Sequence, residues 1–286
     1  MTENADSFDV VGVGSAIVDV ISRADDDFLE AEQLHKGTMQ LIDADRAESL
    51  YAAMPPAIER SGGSVANTVA GVASFGGAGA FIGKVRDDQL GQIFGHDIRT
   101  LGITYEVPAA TEGLATARCL ILVTPDAQRT MNTYLGIAGQ LAPADIDEAL
   151  IARGRVVICE GYLWDVPAAK EAIVKAMDHT RQAGNRVAFS LSDPFCVDRY
   201  RDEFLDLVAH RVDVLFANET EILSLYEVDD WDRALELVRG HCEIACLTRS
   251  EKGSVVVTAN EIHDIPAHPV AEVVDTTGAG DLYAAG

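Results

Sequence analysis

Asp275-Thr276-Thr277-Gly278-Ala279-Gly280-Asp281 reads as a loop turning into a helix. Three small residues precede one carboxylate. Without bulky side chains, backbone N–H groups approach an anion closely. A helix beginning here turns its positive end toward the same anion. An Asp beside such an anion hole is placed to take a proton from a hydroxyl attacking phosphorus. Phosphoryl transfer needs this positioning and charge neutralisation more than covalent chemistry. A glycine-rich helix start with Asp in its first turn is the plainer account, so the surrounding sequence must discriminate.

Outward from this heptad, short apolar runs alternate with amphipathic stretches. Residues 8–13, 80–82, 156–159, 187–191, 212–216, 244–248 and 254–257 read as strands. Most are continuous apolar runs, the pattern of strands buried on both faces of a parallel sheet. Residues 64–75, 88–101, 144–152, 167–182, 202–209, 219–226 and 231–238 read as helices, with stops at Ala183-Gly184-Asn185 and Arg239-Gly240. Repeated β-α-β units predict an α/β fold with a doubly wound parallel-sheet core flanked by helices. Segments of about 16–45 and 104–135 break the alternation with extended, turn-rich sequence. They are expected to form a small β-sheet lid inserted in a single domain over 1–286. The chain stops at Gly286, inside what should be the helix of the heptad, which suggests that C-terminal sequence or structure is missing.

The 286 residues carry 22 basic and 46 acidic side chains, a formal net charge of −24. So acidic a surface repels nucleic-acid backbones and anionic membranes. It also repels ATP, so a nucleotide site here requires local cations, Mg²⁺ or backbone amides. The five cysteines (119, 159, 196, 242 and 246) are scattered without a CxxC pair or zinc-like spacing. They read as buried free thiols of a cytoplasmic protein. The N-terminus, with Glu3, Asp6 and Asp9, lacks the basic and apolar regions of a signal peptide. Residues 61–83 carry no formal charge and have the length of a membrane span. Their glycines, above all Gly76-Gly77, instead predict a buried helix, a stop and a buried strand.

Three further stretches carry chemistry. Gly12-Val13-Gly14 follows a strand but lacks the third glycine and the helix of a dinucleotide site. It allows the chain to pass close to a ligand while Asp19 accepts hydrogen bonds from adjacent sugar hydroxyls. In Gly62-Gly63-Ser64-Val65-Ala66-Asn67 the glycines permit close approach, Ser64 is suited to cap the helix, and Asn67 offers a donor and an acceptor. A cap leaves the polar Asn67 in an apolar helix unexplained. Asn218 and Glu221, three apart after a strand, are hard ligands fit for Mg²⁺, directly or through water. The same spacing is also a capping pattern.

Taken together, these motifs resemble those of the PfkB (ribokinase-like) carbohydrate kinases. Gly62-Gly63 through Asn67 is similar to the first family signature, and Asp275 through Asp281 with Ala285-Gly286 to the second. Asn218-x-x-Glu221 matches the family's Mg²⁺-associated motif. The resemblance implies a ribokinase-like fold and ATP-dependent phosphorylation of a primary hydroxyl. It makes Asp281 the base and Gly278, Ala279 and Gly280 the anion hole. Asp19, Gly63, Ser64 and Asn67 would hold the sugar, and Asp275 and Thr277 fall where some members bind a monovalent cation such as K⁺. Within the family, Leu191-Ser192-Asp193-Pro194-Phe195 and 212–221 most resemble adenosine kinases. That likeness places Arg129 near the transferred phosphate and Tyr162 and Leu163, with Trp164, in a segment that packs against a purine. Thr248, Ser250 and Gly253 would border ATP, although Ser250 stands where many members have Gly. Ser15 and Met39 replace an Asn and a Gln of some adenosine kinases. The implied activity is conversion of adenosine to AMP, a purine-salvage step, in a cytoplasmic monomer or homodimer. A kinase for a free sugar (ribose, fructose or a ketodeoxy sugar acid) or another nucleoside is the alternative, and a non-catalytic nucleoside-binding protein the third.

Overall fold

Continuous apolar runs lie side by side, as strands buried on both faces must. The computed structural model describes residues 7–271 and 276–286. Its strands are β1 (Phe8–Val13), β2 (Ile17–Arg23), β3 (Met39–Leu41), β4 (Ala57–Gly62), β5 (Gly79–Ile82), β6 (Ala117–Val123) and β7 (Arg129–Tyr134). They continue with β8 (Gly154–Glu160), β9 (Arg186–Ser190), β10 (Val214–Asn218), β11 (Ile244–Thr248), β12 (Ser254–Thr258) and β13 (Ile262–Ile265). The α-helices are α1 (Asp26–Ala31), α2 (Ala44–Ala53), α3 (Ser64–Ser74), α4 (Gln89–Thr100) and α5 (Glu148–Ala152). Then come α6 (Pro167–Gln182), α7 (Pro194–His210), α8 (Glu219–Tyr226), α9 (Trp231–Val238) and α10 (Ala279–Ala285).

The large sheet has the order β13-β12-β11-β10-β9-β8-β1-β5. Its strands from β5 to β11 are parallel, and β12 and β13 add an antiparallel edge. Both faces of its parallel part are buried, whereas the edge strand β13 is exposed throughout. Strand β5 gives Ala80 and Ile82 to one core and Phe81 to the other. The first core gathers side chains of α6 to α9, including the edge-to-face cluster of Trp164, Phe189 and Phe204, with centroids 5.3–6.2 Å apart. The second packs α3 and α4 through Val65, Val69, Phe94 and Ile98.

A second, five-stranded sheet has the order β3-β7-β6-β2-β4. Four of its strands come from the two segments that interrupt the alternation. The fifth, β4, lies outside them. Its sequence, Ala-Ile-Glu-Arg-Ser-Gly, is largely exposed at the sheet's edge, so it lacks the apolar signature of a buried strand.

Other boundaries differ for local reasons. Helix α7 starts at Pro194, not at 202, because Asp193 caps it by accepting from Phe195 N at 2.7 Å. The helix breaks at Tyr200 (φ −125°, ψ 25°), and the sequence pattern marks only its second half. Residues 144–152 divide into a 3₁₀ turn at Pro143–Asp145 and α5. Two helices fall in or beside the segment read as extended. Asp25 caps α1 and Asp43 caps α2, each accepting the N–H three residues on. The uncharged stretch 61–83 resolves into the end of β4, then α3, a glycine turn and β5. Among the described residues no helix is long and apolar enough to cross a membrane. All five cysteines are free; Cys119, Cys159 and Cys196 are buried, Cys242 and Cys246 half-buried.

Phe189 is 0% exposed and sits between two aromatic rings. Phe189→Ala is expected to lower unfolding free energy by about 3–5 kcal/mol, the usual cost of emptying a packed aromatic site. The urea midpoint at unchanged slope measures it.

Candidate active site

Parallel strands end on one side of the sheet, and their following loops meet there. An open cleft of ≈ 1570 Å³ runs along that edge. Ser15 after β1, Glu160 at the end of β8, Asn218 at the end of β10 and Thr248 at the end of β11 all line it. The second sheet contributes Asp19, Met39 and Cys119 from above.

Asp281 lies in the first turn of α10, after Gly278 in the left-handed region (φ 70°). Its Oδ1 accepts the Ser64 hydroxyl at 2.7 Å and its Oδ2 accepts Asn67 Nδ2–H at 3.0 Å. This accounts for the polar Asn67 in an apolar helix. It also corrects the expectation for Ser64. The N-cap of α3 is Gly63, without a side-chain cap, and the serine hydroxyl is spent on Asp281. Burial pushes the Asp281 carboxyl above the ordinary aspartate range, and the two donors oppose that. Helix α10 reaches this position because α3 carries Gly71. A Cβ there would lie 2.6 Å from Ala285 Cβ and 3.0 Å from Leu282 Cδ2.

The glycine pair before α3 is equally specific. A Cβ on Gly62 would strike the Asp19 carboxyl group at 2.5 Å. Gly63 has φ 99°, and a Cβ on it would meet Ser15 O at 2.3 Å. Asp19 on β2 is half-buried, and burial raises its pKa to about 6. The positive charge of Arg129 opposes that rise, the Asp281 charge adds to it, and Arg60 opposes it weakly. Arg129, on β7, thus faces Asp19 electrostatically.

Asn218 and Glu221 close a reciprocal capping box. Glu221 Oε2 accepts Asn218 N–H at 2.9 Å, Oε1 accepts Asn218 Nδ2–H at 2.6 Å, and Asn218 Oδ1 accepts Glu221 N–H at 2.9 Å. Burial raises the Glu221 pKa to about 7, the Asn218 N–H opposes that, and the Asp193 charge adds to it. Among the described residues no cluster of three or more His, Cys, Asp or Glu side chains forms a metal cage.

Tyr162 lines the cleft and its hydroxyl donates to Ser192 O at 2.8 Å. Leu163 does not line it. It is 0% exposed and packs in the first core, and Trp164 is buried beside it. The 3₁₀ turn Gly161–Asp165 swings adjacent residues to opposite sides, which the sequence does not reveal. Phe195, 65% exposed, and buried Cys196 line the same end as Tyr162. At the other end lie Thr248, Ser250 and Gly253. Ser250 adopts φ 49°, a left-handed conformation that costs a non-glycine residue about 1–2 kcal/mol. Gly253 (φ 94°) has no room for a Cβ, which would sit 2.1 Å from Ile265 O. Gly280 is exposed and faces open space. Thr277 is exposed at the start of the same turn, and Asp275 lies outside the described residues.

Glu160 was not singled out from the sequence. It is 0% exposed and lines the cleft floor. The signal was a lone carboxylate closing the apolar run Val156–Cys159.

The profile of the pfkB family carbohydrate kinases matches residues 9–286. The crystal structure of adenosine kinase from Sinorhizobium meliloti superposes with a TM-score of 0.92 at 53% identity, covering 98% of this chain and 86% of that one. A probable sugar kinase from Rhizobium etli CFN 42 does so with 0.92 at 51%, with the same coverage. The 5-dehydro-2-deoxygluconokinase of Geobacillus kaustophilus is 28% identical over 236 residues, 79% of this chain and 70% of its own length. With a strand-end cleft, a carboxylate in a glycine-rich helix start and a match over nearly its whole length, the chain belongs to the pfkB family of carbohydrate kinases. Its members are phosphotransferases acting on hydroxyl groups of sugars or nucleosides.

A carboxyl with a raised pKa is still protonated where an ordinary Asp is ionised. Protonation removes acceptor capacity from Asp19. At saturating MgATP, kcat/KM for the acceptor is therefore expected to fall as pH drops through about 6. Arg129→Met, which removes the opposing charge, should move this limb to higher pH. A limb near the ordinary value of about 3.9 would contradict the desolvation of Asp19.

Proposed function

We propose that this protein transfers the γ-phosphoryl group of ATP to the 5′-hydroxyl of adenosine, giving AMP. The observation that carries the reading is Asp281, oriented by Ser64 and Asn67 beside the open backbone of Gly278–Gly280. In this reading Asp281 is the general base. One carboxylate oxygen exchanges its Asn67 or Ser64 donor for the attacking hydroxyl and accepts its proton as the new O–P bond forms and the bond from the γ-phosphorus to the β,γ-bridging oxygen breaks, with ADP as the leaving group. The N–H groups of Gly278 and Gly280, and that of Ala279 once it leaves Thr276 O, to which it donates at 3.2 Å, receive the anionic oxygens of the phosphoryl group, and Gly280 leaves them room. Asp19 accepts from the ribose hydroxyls, with Gly63 and Asn67 closing the sugar site. Thr248, Ser250 and Gly253 border the nucleotide, and Arg129 reaches the transferred phosphate from the second sheet.

The donors present fit a hydrated Mg²⁺. Both Glu221 oxygens are engaged by Asn218, so a water-mediated contact preserves the capping box while a direct one would break it. Mg²⁺ usually retains several waters. When bound, the ion supplies charge neutralisation for the phosphates. Residues 16–45 and 104–135 act as a lid whose sheet closes over the sugar and excludes water. The reaction is a purine-salvage step drawing on cytoplasmic ATP.

Adenosine is favoured over a free sugar by the Sinorhizobium meliloti adenosine kinase at 53% identity and by the aromatic end of the cleft. Tyr162 and exposed Phe195 offer a flat base apolar contact beyond the sugar position. The second reading, a kinase of a free sugar, draws on the Rhizobium etli probable sugar kinase and the 28%-identical fructokinase of Salmonella typhimurium. A coupled ADP-release assay separates the two. Adenosine is expected to exceed ribose and fructose in kcat/KM by at least about tenfold, about 1.4 kcal/mol of transition-state binding. Equal turnover of a free sugar would refute adenosine and leave the kinase standing.

Asp281→Asn keeps size and one acceptor but cannot take the proton. It is expected to lower kcat by about 10²–10⁴-fold with adenosine affinity by calorimetry little changed. Near-normal turnover of the folded variant would place the base elsewhere.

A further inference from the structure

Two turns define the sugar side of the cleft. One, Gly14–Ser15–Ala16, joins β1 to β2 and leads to Asp19. The other, Gly62–Gly63, joins β4 to α3 and leads to Ser64 and Asn67, which hold Asp281. Between them stands the carboxylate of Glu160, brought by the end of β8 and 0% exposed. Its Oε1 accepts Ser15 N–H at 2.8 Å, and its Oε2 accepts Val65 N–H at 3.1 Å. One oxygen therefore serves each turn. The space is made for it: a Cβ on Gly14 would lie 2.8 Å from Glu160 Oε2 and 2.9 Å from Val65 Cβ. The turns also touch directly, since Gly63 has no Cβ to strike Ser15 O.

We propose that Glu160 is a positioning residue for phosphoryl transfer, a carboxylate clamp that fixes the separation between the turn leading to Asp19 and the helix start that orients Asp281. A buried carboxylate is expensive to desolvate, and an apolar residue would fill a strand end at lower cost. What it supplies in return is two acceptors pointing in two directions on one rigid strand. Leucine supplies none. Glutamine supplies one, and its NH₂ would confront the second N–H donor to donor. Burial also raises the Glu160 pKa; the Ser15 side chain and the Ser15 and Val65 N–H groups oppose this, and the Asp281 charge adds to it. Glu160 does not need to touch substrate. It acts through Asp281, Ser64, Asn67 and Asp19, where small displacements of positioned groups are costly in rate. The ATP end, built from β11 and β12, is remote from both turns.

The inference rests on Asp281 as the base, so Asp281→Asn is measured beside it. Glu160→Gln is expected to lower kcat for adenosine by at least about tenfold while KM for ATP stays within about twofold. Gly14→Ala, which pushes a methyl group against the same carboxylate, is expected to give the same split. A loose structural loss would not, because it would raise KM for ATP as well or reduce the active fraction without changing kcat per active site. A folded Glu160→Gln enzyme with kcat within about twofold of the parent, beside an inactive Asp281→Asn, overturns the clamp alone. A turning-over Asp281→Asn overturns the base assignment instead. If both Glu160→Gln and Gly14→Ala fail to fold, Glu160 is a determinant of the fold rather than of the site, and the proposal is overturned.

Discussion

The carboxylate of Asp281 and the two donors of α3 form the junction on which the cleft depends. Ser64 and Asn67 belong to a helix that starts after a left-handed glycine, and Asp281 to a helix laid against it over Gly71. Hydrogen bonds to a charged group contribute about 1.5–3 kcal/mol each. Burial still leaves the carboxyl above the ordinary aspartate range, so the two donors offset only part of its cost. In the proposed role as base, a carboxylate oriented in this way would lose little orientational freedom at the moment of reaction. The same contact ties the glycine-rich turn before α10 to the start of α3, so the two halves of the cleft share one reference point.

The sheet explains why so many functional side chains meet. Parallel strands all end on one edge, and each delivers a residue at or within two positions of its last paired one. Ser15, Glu160, Ser192, Asn218 and Thr248 come from five different strands yet line one cleft. Antiparallel neighbours would have alternated these ends between two edges. The second sheet adds the opposite wall and brings Asp19 and Arg129 over it.

Electrostatics sets the main opposition. The chain carries −24 formally, and Asp19, Glu160, Glu221 and Asp281 crowd the cleft. Burial raises the pKa of all four. Each is offset by local partners: Arg129 and Arg60 for Asp19, the Ser15 side chain and backbone N–H groups for Glu160, the Asn218 N–H for Glu221, side-chain donors for Asp281. In the proposed reaction, backbone amides, Arg129 and a divalent cation would be the counterweights a polyanionic nucleotide needs in this field. Burial pulls each carboxyl toward its neutral form, and its neighbours pull it back toward the ionised one.

By itself the sequence determined the alternation of buried strands and helices, the family, and the order of its motifs along the chain. Continuous apolar runs and glycine-rich helix starts are local signals, and each is read within about ten residues. Helices α6, α8 and α9 and strands β1 and β11 follow the pattern residue for residue. Strand β4 escaped because an exposed edge strand has no apolar face to announce it, and the first half of α7 because a capping Asp and a kink hide its period. Only the tertiary structure decided the partners. Ser64 reads as a cap until α10 is placed beside it. Leu163 reads as a cleft residue until the 3₁₀ turn rotates it into the core. Glu160 reads as the end of a strand until two turns, 145 and 95 residues away in sequence, present their N–H groups to it. Contacts across such separations depend on strand order and helix packing, which many distant residues fix jointly and no short stretch encodes.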